Sequence, residues 1–91
     1  MLPIYYAIVT RTSGQHLTVS QDKSSHYLLL FSEDFNALSY LNHHARDLAS
    51  QFAVEAIATN QLGNLLNRWG YQGVALVRDP LGPELEFLAI G

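Results

Sequence analysis

Leu62, Leu65, Leu66 and Trp69 recur at i, i+3, i+4 and i+7, the spacing that lines up four side chains on one stripe of an α-helix. Thr59 stands where an N-cap belongs, and Gly70 stands where a left-handed terminating residue belongs. The sequence therefore predicts a helix bounded at both ends. Gly63 lies inside it and weakens it by about 1 kcal/mol relative to alanine. The stripe requires an apolar partner layer, and the short hydrophobic runs around it supply one.

Ile4 to Val9 is a run of apolar, β-branched and aromatic residues too short for a typical helix, and it reads as a strand buried on both faces. After the Ser13-Gly14 turn signal, Leu17 and Val19 alternate with polar neighbours as in a half-exposed strand. His26 to Phe31 is a third strand, and three short-looped strands favour an antiparallel meander. Ser32 reads as an N-cap, with Glu33 and Asp34 suited to the positive end of a helix. The helix core stripe is read as Phe35, Leu38, Leu41, Ala45 and Leu48. Phe52 to Ile57 is a strand before the Leu62–Trp69 helix, and Val74 to Val77 is one after it. Asp79-Pro80-Leu81-Gly82-Pro83 marks a hairpin loop leading to a last strand through Leu85, Phe87 and Ala89. The order β-β-β-α-β-α-β-β predicts a single α+β domain over residues 1–91. Its sheet should have five to six mainly antiparallel strands, with two helices packed on one face.

The 91 residues suit one modest core. Only 14% are charged, below the quarter to a third that is roughly usual for a monomer's surface. Some apolar surface is therefore expected to be covered by a partner. The net charge is −3, and the five basic residues, Arg11, Lys23, Arg46, Arg68 and Arg78, are scattered, which argues against nucleic acid as a ligand. There is no cysteine, so thiolate chemistry and cysteine-ligated zinc are excluded. No apolar run approaches the ~20 residues of a membrane span, and the first residues lack the basic region of a leader. A cytoplasmic protein without membrane attachment is the expectation.

Chemistry-bearing residues are few. His43 and His44 are adjacent, so they point about 100° apart on a helix and cannot share one metal as an i, i+4 pair can. Both read as surface histidines, and no metal or other cofactor is expected. Glu55 stands in an otherwise apolar strand. If buried, it would have a raised pKa and could act as an acid or base. The plainer reading puts it on a partly solvated sheet face, paired with Arg78 or Arg11. Glu84 and Glu86 share a strand face and read as a solvated edge. Ser24-Ser25-His26 suggests a nucleophile beside a base, but no G-x-S-x-G elbow accompanies it. Neither a P-loop nor a G-x-G-x-x-G pattern occurs. No residue is assigned a catalytic role.

Two helices on one face would leave the other face of a sheet this wide partly apolar. A protein-interaction or assembly module is therefore the leading expectation, self-associating through a sheet face or edge, with Tyr5, Tyr6, Tyr27 and Phe87 as contact residues. The alternative is a small ligand-binding protein or enzyme using Glu55 with nearby His or Arg side chains. A concave pocket containing Glu55 would favour that alternative, and a flat apolar sheet face would favour the module.

The stretch from Leu29 to Ala37, followed by Val54-Glu55-Ala56-Ile57 and Trp69-Gly70-Tyr71, resembles a family of small cyanobacterial and plastid proteins of unknown function. With Asp79-Pro80-Leu81-Gly82-Pro83 included, the same order is similar to the N-terminal domain of the enhanced serine sensitivity protein B family. Either resemblance covers most of the chain from Tyr5 onward, apart from Ser13 to Ser25. Each implies a fold and neither carries catalytic residues with it.

Overall fold

The computed structural model describes residues 3–22, 24–77 and 85–89. Strands β1 (Ile4–Thr10), β2 (Thr18–Asp22) and β3 (Ser25–Phe31) precede helix α1 (Asp34–His44) and a short 3₁₀ helix (Arg46–Gln51). Strand β4 (Phe52–Ala58), helix α2 (Thr59–Trp69), β5 (Gly73–Val77) and β6 (Leu85–Ala89) follow. The α+β class and the element order are those the sequence predicts. The six strands form one sheet of order β4-β1-β3-β5-β6, with β2 paired to β3. All pairs are antiparallel except β3–β5, because the chain returns to β5 only after crossing the sheet through α1, β4 and α2.

Between β1 and β3 the sheet is wedged open. Their direct pairing is confined to Tyr6 opposite Phe31, and the start of the β2 arm fills the gap. Leu17 N–H donates to the Ile8 carbonyl, and Leu29 N–H donates to the Leu17 carbonyl. His16 is thereby placed opposite Val9 in the body of the sheet. The β1–β2 turn closes through Gly14, whose positive φ of 68° a side chain would resist.

One expectation is overturned: the helices lie on opposite faces. Residues alternate across each strand, so Ala7, Leu28, Leu30, Ile57 and Val74 pack with Leu62 and Leu66 of α2. Ile8, Leu29, Phe31, Ala75 and Val77 pack with Ala37 and Leu41 of α1. The strands read as two-sided because each face has its own helix. Among the described residues each sheet face carries one helix.

The stripe read for α1 is also displaced. Phe35, Leu38 and Leu48 are about half exposed, while Ala37 and Leu41 are buried. The helix ends at His44, and Ala45 leaves helical geometry at φ −142°, ψ 44°, so a stripe continued to Leu48 loses its phase. Glu33 rather than Ser32 is the N-cap residue of α1, and no side chain caps that end. In α2 the stripe holds through Leu62 and Leu66, and Gly70 closes the helix at φ 75°. Thr59 is the first helical residue there rather than the cap, and its hydroxyl donates to the Pro3 carbonyl at 2.6 Å. Among the described residues no helix is long and apolar enough to cross a membrane.

Candidate functional site

On the α2 face, opposed residues of antiparallel strands point the same way. Ala7 faces Glu55 across β1–β4, Val9 faces Ala53, and His16 is opposite Val9. His16 and Glu55 thus emerge on the same side of the sheet, beneath the C-terminal half of α2. The helix brings a second stripe beside its apolar one. Gln61, Asn64, Leu65 and Arg68 fall at i, i+3, i+4 and i+7, one position round from Leu62, Leu65, Leu66 and Trp69. Between this polar stripe and the sheet lies a cleft of about 430 Å³, lined by Gly14, His16, Glu55, Gln61, Asn64, Leu65, Arg68 and Trp69. A second cleft of about 230 Å³ shares His16 and Trp69 with it and adds Gln15, Thr18, His26 and Tyr71.

His16 is the centre of this region. It is 8% exposed, and neither ring nitrogen has a hydrogen-bond partner. The edge of Trp69 or Tyr71 meets its ring at centroid distances of 5.4 and 6.2 Å. Burial pushes the imidazole below its ordinary pKa, outweighing the opposite pull of the Glu55 carboxylate. A neutral imidazole presents one donor and one acceptor, and leaving such a group buried and unpaired costs about 1–3 kcal/mol. The fold tolerates that cost at the wall common to two clefts. Tyr71, on the far side, has its phenol pushed up in pKa by burial.

The sequence-predicted contact residues are not brought together. Tyr5 is half-buried on the α2 face and borders a separate apolar cleft of about 160 Å³ with Leu30, Leu62, Val74, Leu76 and Leu88. Tyr6, Tyr27 and Phe87 lie on the α1 face, where Tyr27 and Phe87 meet edge to face at 5.2 Å. Glu55 is exposed on the wall of a concave cleft rather than buried, an arrangement that suits ligand binding better than a flat apolar sheet face does. Among the described residues it makes no ion pair with Arg11. Arg78, Glu84 and the loop from Asp79 to Pro83 lie outside the described residues. His44 packs on Tyr40 at 4.4 Å, and His43 meets His44 edge to face at 4.7 Å, both on the exposed surface of α1.

The Ser24-Ser25-His26 reading dissolves. Both serine hydroxyls and both backbone N–H groups donate to Asp22 Oδ1 at 2.7–3.0 Å, which holds the β2–β3 turn and lowers the Asp22 pKa to about 2. His26 Nδ1 lies 3.2 Å from Ser20 Oγ instead. In the sequence His16 stands among the polar residues alternating with Leu17 and Val19, a strand position from which it could also join a histidine metal site, and nothing local marks it as buried. Gln61, Asn64 and Arg68 carry no site reading in the sequence. The available signal was their spacing, the same heptad arithmetic that finds the apolar stripe.

No protein-family model matches the sequence, and no curated protein is similar enough in sequence to count as a relative. A solved structure does match. Anabaena Tic22, described as acting in protein transport, superposes with a TM-score of 0.60 over 88% of this chain and 37% of its own length, at 14% identity. The chain has a fold like that of Tic22. At this identity the likeness is one of fold, and this chain spans 37% of the length of that protein. It agrees with the cyanobacterial resemblance in the sequence only at that level, and neither of the two resembled families is shown by it. The Tic22-like sheet carries the His16 cleft on one face and a packed aromatic layer on the other.

Proposed function

We propose that the chain is a non-catalytic protein-interaction module that adds an extended segment of another polypeptide to the open edge of β4. The observation that carries this reading is β4 itself. All seven of its residues pair with β1, the ladder is prolonged by Arg11 N–H to Gln51 O and Thr59 N–H to Pro3 O, and β4 ends the sheet order. Proteins usually blunt such an edge with proline, bulges or several charges. Phe52-Ala53-Val54-Glu55-Ala56-Ile57-Ala58 has one charge and no proline, which suits strand addition. The fold shared with a protein described as acting in protein transport supports a role in handling polypeptide.

Glu55 occupies the middle of the seven. A second copy pairing antiparallel and centred on this strand would set Glu55 against Glu55, and like charges directly opposite are destabilising. The partner strand that fits carries lysine or arginine at that position. Hydrogen exchange on β4 amides, with a valine/threonine-rich peptide bearing a central lysine, tests this. The lysine peptide should protect β4 and outcompete its glutamate counterpart by about fivefold. Glu55→Lys should reverse the preference. Unchanged β4 exchange with both peptides, or a β4-paired dimer of this chain alone, defeats the reading.

A further inference from the structure

Two opposite charges line the larger cleft and do not meet. Glu55 stands on β4 and Arg68 on the rim of α2, both exposed, and among the described residues neither makes an ion pair. Held on separate walls, they leave a space that is negative on one side and positive on the other. An anion entering it would face Glu55, a cation would face Arg68, and a neutral molecule would leave both charges without a partner. A ligand carrying both signs matches the pair. Gln61 and Asn64 add carboxamides to the same lining, each able to donate and accept. His16, more than nine-tenths buried, borders the same space with both ring nitrogens lacking a partner. Trp69, 45% exposed, offers an indole wall for an apolar group.

We propose that this cleft binds a zwitterion of the amino-acid or short-peptide class, with its ammonium on Glu55, its carboxylate on Arg68 and its side chain against Trp69. The Gln61 and Asn64 carboxamides meet the ligand's remaining polar atoms, over a floor formed by His16. The volume of about 430 Å³ admits a free aromatic amino acid or a dipeptide. The site shares Glu55 with strand addition at β4, whereas Arg68, Gln61, Asn64 and His16 take no part in that pairing.

The test is calorimetry near neutral pH with L-phenylalanine, glycyl-L-phenylalanine and N-acetyl-L-phenylalanine amide. Wild type, Glu55→Gln and Arg68→Gln would be compared, each checked for folding by its amide NMR spectrum. Both substitutions are at exposed positions and leave the core untouched. One or both zwitterions should bind saturably at one per chain. The capped compound and each variant should bind about tenfold more weakly or worse. Tighter binding of phenylalanine assigns a free amino acid, and tighter binding of the dipeptide assigns a peptide. No saturable binding of either zwitterion to the folded protein, equal binding of the capped compound, or unchanged affinity in both variants overturns the proposal. Arg68→Gln should leave protection of β4 by the lysine peptide intact, so the two readings fail separately.

Discussion

The two faces of the sheet are built from the same strands and end differently. On the α1 face, Phe31, Tyr40, Tyr27 and Phe87 join Ile8, Leu29 and Val77 in a packed layer, with Phe31 and Tyr40 edge to face at 5.3 Å. On the α2 face the apolar cluster stops at Ala7, Leu66 and Ile57, and beyond it lie the unpartnered His16, the exposed Glu55 and the polar stripe of the helix. One face is given over to stability. The other keeps a polar opening at the cost of an unsatisfied buried imidazole. Where a small domain places such a group, a binding site is the physical reason to look for first.

The largest expected effect tests the packed face. Phe31→Ala removes a fully buried ring and should cost about 3–5 kcal/mol in chemical denaturation, while Gln61→Ala on the open face should stay within about 0.5 kcal/mol. Comparable losses at both positions would erase the distinction.

The next effect has the opposite sign. His16→Leu removes both unpaired ring nitrogens and should stabilise the protein by about 1–3 kcal/mol; a loss of that size would mean the imidazole is satisfied after all. The same residue sets a pH limb. Its folded pKa lies below the ordinary 6.5, so on acidification the unfolded chain takes up a proton that the folded chain refuses. Stability should therefore fall as pH drops below about 6.5, toward the lower folded value, and be fully present above it. His16→Leu should lack this limb. Asp22 acts lower. Its pKa falls from 3.8 to about 2 through its serine hydrogen bonds, so its contribution is present above about pH 4 and lost as pH falls through about 2.

Much of the fold was legible because period and punctuation agree. The two-sided strands, the Leu62/Leu65/Leu66 stripe and Gly70 all give the right elements in the right order. The face each helix takes was not legible, since a strand apolar on both sides does not say which helix covers which side. The α1 stripe was misread because it was carried through Ala45, where the backbone leaves the helix. The cleft was invisible for a related reason. His16 becomes central only when the β2 arm wedges between β1 and β3, and Arg68 meets Glu55's face only once α2 is laid across β4. Those are long-range placements that local pattern does not encode.

The most direct test of the difference between the faces is an amide NMR titration of ¹⁵N-labelled protein with glycyl-L-phenylalanine. Saturable shifts at Gly14 to His16, Glu55 and Gln61 to Trp69, with Phe31, Tyr40 and Phe87 unmoved, are the predicted result. Shifts centred on the α1 face, or none with either this dipeptide or L-phenylalanine, would contradict it.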